Sequence, residues 1–212
     1  MPFTAKSGKF NASINTVEFG TGDKAVKIGG ENVFPLYSFD AAIENAPKVG
    51  IEITDFGMEH EPECIKKYYE GCATLADMAR KAASMEGVDF LSFRMEGGDP
   101  NGANKSTEEL IGELKEIADA VDLPLVVCGC KNVEKDAELF SKAAEALNGK
   151  NAVILSAKEE NYKTVGAAAG LAYKQIVGAE SAVDINLAKQ LNVLISQLGV
   201  DSKSVVMNVG SA

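Results

Sequence analysis

Residues Ser181–Gln197 read SAVDINLAKQLNVLISQ, a stretch that opens polar and then places apolar residues at Leu187, Leu191, Leu194 and Ile195, with Leu198 one position beyond it. That 3.6-residue rhythm predicts an amphipathic helix with one buried stripe. Asp184 is the expected N-cap, because a short carboxylate can accept hydrogen bonds from the open amides of a first turn. Gly199 stands where a left-handed C-terminal cap falls. Just upstream, Ile176-Val177-Gly178-Ala179 is too short for a helix and reads as a buried strand. Strand, polar corner, helix: this is one βα unit.

Working outward, the same unit recurs. Strands are expected at Val49–Thr54, Val88–Met95, Leu125–Cys128, Ala152–Leu155 and, after the landmark helix, Val205–Met207. Helices are expected near Thr74–Met85 (closed by Gly87), after Ser106 with its capping-box partner Glu109, after Asn132, and from about Asn161. The last of these carries small residues at Gly166, Ala169, Gly170 and Ala172, which would let it approach the sheet closely. Residues 1–47 follow another rule. Asn15–Phe19 and Ala25–Ile28 alternate as strands around the turn Gly20-Thr21-Gly22-Asp23, and Gly29-Gly30-Glu31-Asn32 leads into Val33-Phe34-Pro35-Leu36. A lone hairpin is marginal in water, so it should pack on one end of the main domain.

Six strands alternating with helices indicate a parallel sheet. A (β/α)8 barrel and a doubly wound sheet share that grammar. No G-x-G-x-x-G follows the first strand, and polar residues gather after every strand instead of at one switch point, so the barrel is favoured. The expected fold is therefore α/β: a TIM (β/α)8-type barrel, incomplete at about six strands, over residues 48–212, preceded by an N-terminal β-hairpin extension over 1–47. A full barrel takes about 250 residues, and an open six-stranded edge would expose backbone and apolar surface, so a truncated barrel is expected.

Composition narrows the function classes. At 212 residues, 46% apolar and 25% charged, the chain has the balance of a globular protein with ample core. A net charge of −10 supplies no basic surplus for phosphates, so nucleic acid is not an expected partner. The N-terminus lacks an apolar signal region and no run nears the roughly 20 residues that cross a bilayer, so a cytoplasmic protein without membrane attachment is expected. Cys128 and Cys130 flank Gly129 at a strand end, where alternation would point both to one side; without a C-x-x-C pair they read as buried thiols, not metal ligands. The single His60 sits in the acidic loop GMEHEPE and reads as solvated.

The strand ends offer Asp55, Glu96, Asp99, Asn101, Cys130, Lys158, Glu159, Asn161, Asp184, Asn186, Asn208 and Ser211. Carboxylates and amides without a histidine suit hydrogen-bond recognition of a neutral ligand with many heteroatoms better than acid–base catalysis. Asp99-Pro100-Asn101-Gly102 is also turn chemistry, and Asp184 also a cap. Lys158 has the position of a Schiff-base lysine, but Glu159 and Glu160 beside it would hold its charge.

Three stretches, KAVKIGGENVFPLYSFD, LPLVVCGCKNVEKDAELFSKAAEA and ENYKT…SAVDINLAKQLNVLI, together with DPNGAN at Asp99–Asn104, resemble the small (delta) subunit of the corrinoid iron–sulfur protein. That family works in the CO dehydrogenase/acetyl-CoA synthase (acetyl-CoA decarbonylase/synthase) system of anaerobes. The resemblance implies a TIM barrel behind a β-hairpin and a non-catalytic subunit. It implies pairing with a large (gamma) subunit that carries the iron–sulfur cluster and a cobamide domain, the corrinoid being shared between the two and no metal bound by this chain alone. Further implied partners are the methyltetrahydrofolate:corrinoid methyltransferase and acetyl-CoA synthase. The rim residues expected to face the cofactor are Asp55, Glu96, Asp99, Asn101, Asp184, Asn186 and Asn208. Relatives continue past the sixth strand into G-Y-G-x-E-Y and often show Asp-Pro where this chain has Asn208-Val209. The alternatives are a stand-alone pterin-dependent methyltransferase or dihydropteroate-synthase-like enzyme, gripping the pterin through Asp55, Asn101, Asp184 and Asn186, and a lysine aldolase acting through Lys158.

Overall fold

The computed structural model describes residues 11–32 and 43–210. The expected Val33-Phe34-Pro35-Leu36 segment and Ser211 lie outside the described residues. A two-stranded antiparallel hairpin, β1 (Thr16–Phe19) and β2 (Val26–Gly29), precedes a six-stranded sheet. Its strands are β3 (Gly50–Thr54), β4 (Phe90–Arg94), β5 (Leu125–Cys128), β6 (Val153–Ala157), β7 (Ile176–Glu180) and β8 (Val205–Asn208). All five pairings are parallel, and the spatial order is the chain order.

That order never reverses, so a right-handed crossover at every step returns each helix to the same face. The helices are α1 (Glu63–Tyr68), α2 (Leu75–Ala83), α3 (Thr107–Ala120), α4 (Val133–Ala146), α5 (Tyr162–Val165) and α6 (Ile185–Gln197). Among the described residues β3 and β8 are not paired with each other, so the sheet is open and no closed barrel forms.

Local chemistry sets the helix starts. The Asp184 carboxylate accepts from the amides of Asn186 and Leu187, at 2.8 and 3.1 Å. Ser106 accepts from Glu109 N, and Asn132 from Lys135 N. A capping box that the sequence reading passed over opens α2: Thr74 accepts from Asp77 N while the Asp77 carboxylate accepts from Thr74 N. In α6 the fully buried stripe is Ala188, Leu191 and Ile195, with Leu187, Leu194 and Leu198 half-buried beside it. Gly199, at φ 102°, ends the helix as expected.

The chain after Asn161 departs from a plain helix. Beyond α5 it widens into π-helical turns over Gly166–Ala172. A β-carbon on Gly166 would meet Leu198 Cδ1 at 2.9 Å, and one on Gly170 would meet Val200 Cγ2 at 2.7 Å and Val177 Cγ2 at 3.2 Å. The small residues therefore admit the end of α6 as much as the sheet, and Ala172 is exposed.

Two cores result. On the helix face, Leu91, Phe93, Val127, Ile154 and Val177 pack against α2–α6. On the opposite face, the lower halves of the strands present Val126, Val153, Ile176 and Phe90 to the hairpin residues Val17, Phe19 and Val26. Phe19 meets Phe90 edge-on, at 5.7 Å between ring centres. The hairpin tip is anchored where Gly20 N donates to Asn151 O and the Asn151 side-chain amide donates to the carbonyls of Glu18 and Gly20. A β-carbon on Gly20 (φ +83°) would lie 2.4 Å from Pro124 Cγ, so only glycine fits this approach. The hairpin thus covers the amino-terminal end of the sheet's inner face and leaves the carboxyl-terminal end uncovered by it.

Candidate functional site: the carboxyl-terminal rim and the well beneath it

Because β3–β8 all run the same way, the loops that follow them emerge at one end of the sheet. Asp55, Glu96, Asp99, Asn101, Asp184, Asn186 and Asn208 all belong to that end. Their local situations differ.

Asp55 is buried, its side chain wholly so. Its two carboxylate oxygens accept from Gly97 N at 2.9 and 3.1 Å. Lys105 Nζ stands 3.0 Å from the carboxylate and donates to Asp55 O at 2.9 Å. Lys105 N closes the loop onto Gly97 O at 2.8 Å. Burial pulls the Lys105 ammonium down, but hydrogen bonding and charge from Asp55 and Glu113 outweigh it and leave the group above its ordinary value. Asp55 and Lys105 form a clasp that shapes loop 96–105 from beneath.

That loop carries the exposed Glu96, at the start of a 3-10 turn, and the DPNG turn, in which Asp99 accepts from the amide and side chain of Asn101 at 3.0 and 3.2 Å. Asn101, Asp184 and Asn186 are exposed. Asp184 and Asn186 share the first turn of α6, and the Asp184 carboxylate is committed to capping. Ala182 and Val183 before it adopt φ of 46° and 68°. A β-branched residue in that region is strained, by about 1–3 kcal/mol. Val183 N donates to Val209 O at 2.7 Å, which ties the β7 and β8 loops together. Val183, Ile185 and Val209 expose 61%, 62% and 49% of their surfaces here, an apolar edge on a polar rim.

Below the rim is a concavity of about 280 Å3 over the inner face of β4–β8. Of the seven rim residues, Asn208 lines it. The lining also includes Lys158, one of the strand-end candidates, and adds Arg94, Lys131, Asp136 and Glu180, which were not among them. Arg94 projects from β4 and is held by Glu52 in a two-point ion pair, Nε and Nη2 each 2.8 Å from a carboxylate oxygen. Those bonds hold the guanidinium above its ordinary pKa, against the cost of burial. Glu180 projects from β7, and Lys158 Nζ lies 3.9 Å from its carboxylate. Lys158 thus faces the strand neighbour Glu180, not the expected Glu159 and Glu160. Glu52, Arg94 and Glu180 occupy inward positions in largely apolar strands; the available signal was a lone charge in phase with the inner face, in mid-strand for Glu52 and at the last strand position for Arg94 and Glu180.

The cysteines do not share a side. Cys128, the last residue of β5, faces the hairpin side beside Ser92, at 3.5 Å. The strand stops there, so alternation no longer applies, and Cys130 turns into the helix-side core. Its amide and thiol both approach Asp136 Oδ1, at 2.7 and 3.2 Å. Asp136 presses so close to Gly129 that a β-carbon there would lie 2.1 Å away. Burial raises the Asp136 carboxyl, partly offset by the Cys130 amide. Burial also pushes the Cys130 thiol up to about 11, so only about one molecule in a thousand is thiolate at pH 8. Iodoacetamide at pH 8, read by peptide mass spectrometry, should label exposed Cys64 first and leave Cys128 and Cys130 unmodified in the folded chain; equal labelling would refute this burial pattern. His60 is exposed and stacks edge-on against Phe56. Among the described residues no group of three or more His, Cys, Asp or Glu could hold a metal ion, and no helix is long and apolar enough to cross a membrane.

The strand order and the loops define a singly wound α/β protein whose polar strand-end residues gather at one end of the sheet. The family model for the CO dehydrogenase/acetyl-CoA synthase delta subunit matches residues 16–212, and the chain belongs to that family. Among its relatives, the acetyl-CoA decarbonylase/synthase complex subunit delta of Methanothermobacter thermautotrophicus is 30% identical over 202 residues, covering 94% of this chain and 51% of the relative. The subunit delta of Methanocaldococcus jannaschii is 30% identical over 208 residues, with the same coverage. That of Archaeoglobus fulgidus is 29% identical over 198 residues, covering 91% of this chain and 43% of its own length. The chain spans about half the length of the curated relatives it matches.

Proposed function

We propose that this chain is the barrel-forming part of the small subunit of a corrinoid iron–sulfur methyl carrier. In this reading the rim helps hold a cobamide that carries a methyl group from methyltetrahydropterin to acetyl-CoA synthase. The family match over residues 16–212 carries the proposal. The rim's chemistry fits the group. A corrin is fringed with amides and asks its holder for donors and acceptors, which the side chains of Asn101, Asn186 and Asn208 offer; Asn208 Oδ1 accepts from Gly210 N and leaves its amide N–H groups to the mouth. Asp55 acts from beneath by setting loop 96–105, while Glu96, Asp99 and Asp184 stand with that loop and the α6 corner at the edge. The chemistry of methyl transfer resides in the bound corrinoid; the residues of this chain bind, orient and exclude water.

The same reading makes residues 48–212 six of the eight units of a TIM barrel, with 1–47 as its hairpin floor. Closure between β3 and β8 would require two further βα units. The exposed apolar edge at Val183, Ile185 and Val209 supports docking of a protein, and the large corrinoid iron–sulfur subunit is the partner assigned to it, in the cytoplasm of an anaerobe. The methyltransferase and acetyl-CoA synthase are then transient partners of the assembled pair. A pterin-gripping enzyme fits less well, since the carboxylate of Asp55 is occupied by Gly97 and Lys105.

Corrinoid absorption after gel filtration tests the proposal: the intact protein mixed with its large subunit and cobamide should elute with the corrinoid, and the intact protein alone should elute without it. Methyl transfer from methyltetrahydrofolate by this polypeptide unaided would overturn the reading.

A further inference from the structure

We infer that the well beneath the rim is a binding site for a small ligand bearing a carboxylate or phosphate group, seated among Arg94, Lys131 and Lys158. The inference stands on the well's own geometry and requires neither corrinoid nor partner.

Size comes first. A space of about 280 Å3 is room enough for a compact ligand. Its cations also have donors to spare. Arg94 commits Nε and one Nη2 hydrogen to Glu52, leaving Nη1 to the well. Lys158 has its carboxylate neighbour at 3.9 Å, outside hydrogen-bond distance, and among the described residues its Nζ makes no hydrogen bond. Lys131 makes no ion pair among the described residues. It reaches the mouth from a left-handed backbone conformation, φ 71°, which the wrapping of residues 129–131 around Asp136 imposes. A non-glycine residue held there costs free energy that the surrounding structure must over-determine.

Charge placement agrees. In a chain of net charge −10, Arg94, Lys131 and Lys158 are gathered on one well; Asp136 and Glu180 line it with them and Glu52 pairs with Arg94, so the cations are balanced locally and not swamped. Asp136 is 4% exposed and its Oδ1 already accepts from the Cys130 amide and thiol, so that oxygen is committed to holding residues 129–131. Among the described residues Glu180 is the carboxylate within ion-pair distance of Lys158. An incoming oxyanion would replace it, accepting hydrogen bonds from the Nη1 edge of the Arg94 guanidinium and point contacts from the lysines.

Calorimetry of the intact protein at low salt, with inorganic phosphate and with malonate as separate probes and chloride as the background anion, tests the assignment. Saturable one-to-one binding of phosphate or of malonate is expected, and which of them binds more tightly identifies the anion class. Lys158→Met should weaken it roughly tenfold, the loss of one charge-assisted hydrogen bond. Lys131→Met, an exposed position that leaves the fold intact, should weaken it in the same direction. Glu180→Gln should strengthen it, by removing the competitor. Lys115→Met on the outer face of α3 should leave it unchanged. Absence of saturable binding to both probes, equal weakening by Lys115→Met, or weaker binding by Glu180→Gln would overturn the site.

Discussion

Asp55→Ala should cost about 3–5 kcal/mol of folding stability, the range for removing one partner of a buried ion pair. The substitution strips Gly97 N of both its acceptors and takes from Lys105 the carboxylate at 3.0 Å. Lys105 keeps Glu113 at 3.2 Å and the Asp55 carbonyl, so the loss should fall toward the lower end of that range. Asp55→Asn keeps an acceptor for Gly97 and should lose less. Urea unfolding measures the cost, and amide exchange at Gly97 locates it: the 96–105 loop should open while β3 and β4 stay protected. A cost below about 1 kcal/mol, typical of a surface pair, would mean that the clasp does not shape this loop.

Phe19→Ala should be comparably severe, about 3–5 kcal/mol, because Phe19 is 2% exposed and the hairpin has little else with which to fill the cavity. Its ring closes the amino-terminal end of the inner face against Phe90, Val126, Val153 and Ile176. The damage should be directional. The hairpin should lose its exchange protection first, at Gly20 N and along β1–β2, while the helix-side core around Phe93 and Leu114 stays intact. An effect near zero would make the hairpin an appendage, not the floor on which the well rests.

The parallel α/β sheet, unlike the closed barrel, was legible, because the central strands β5, β6 and β7 bury both faces and read as short apolar runs. Leu125–Cys128 and Ile176–Ala179 are apolar runs bounded by polar corners, and no helix fits so short a run. Asp184, Ser106 and Asn132 were legible as caps because capping is a local bond between neighbours in sequence. The openness of the sheet followed from counting units. What lay hidden was set by contacts remote in sequence. Arg94 looks like the polar end of FLSFR until β3 brings Glu52 beside it, some 40 positions away. Lys158 was read against its neighbours in sequence, whereas the parallel pairing of β6 and β7 sets Glu180 next to it. Cys130 was read by strand alternation, but the strand ends two residues earlier and Asp136 turns the chain over. Asp55 drew notice as a strand-end carboxylate, and its burial beneath Gly97 is visible only in three dimensions. The rim could thus be read as a set of polar tips, but the well could not.

If the proposed function holds, these tips respond together, as one surface that meets a guest with a partner's help. Hydrogen exchange on the intact protein, with and without its corrinoid-loaded large subunit, tests this most directly. Protection should rise together in the loops after β3, β4, β7 and β8, residues 55–62, 96–104, 181–186 and 208–210, and stay unchanged in the hairpin at 16–29. Protection confined to the hairpin end, or to the outer faces of α3 and α4, would contradict it.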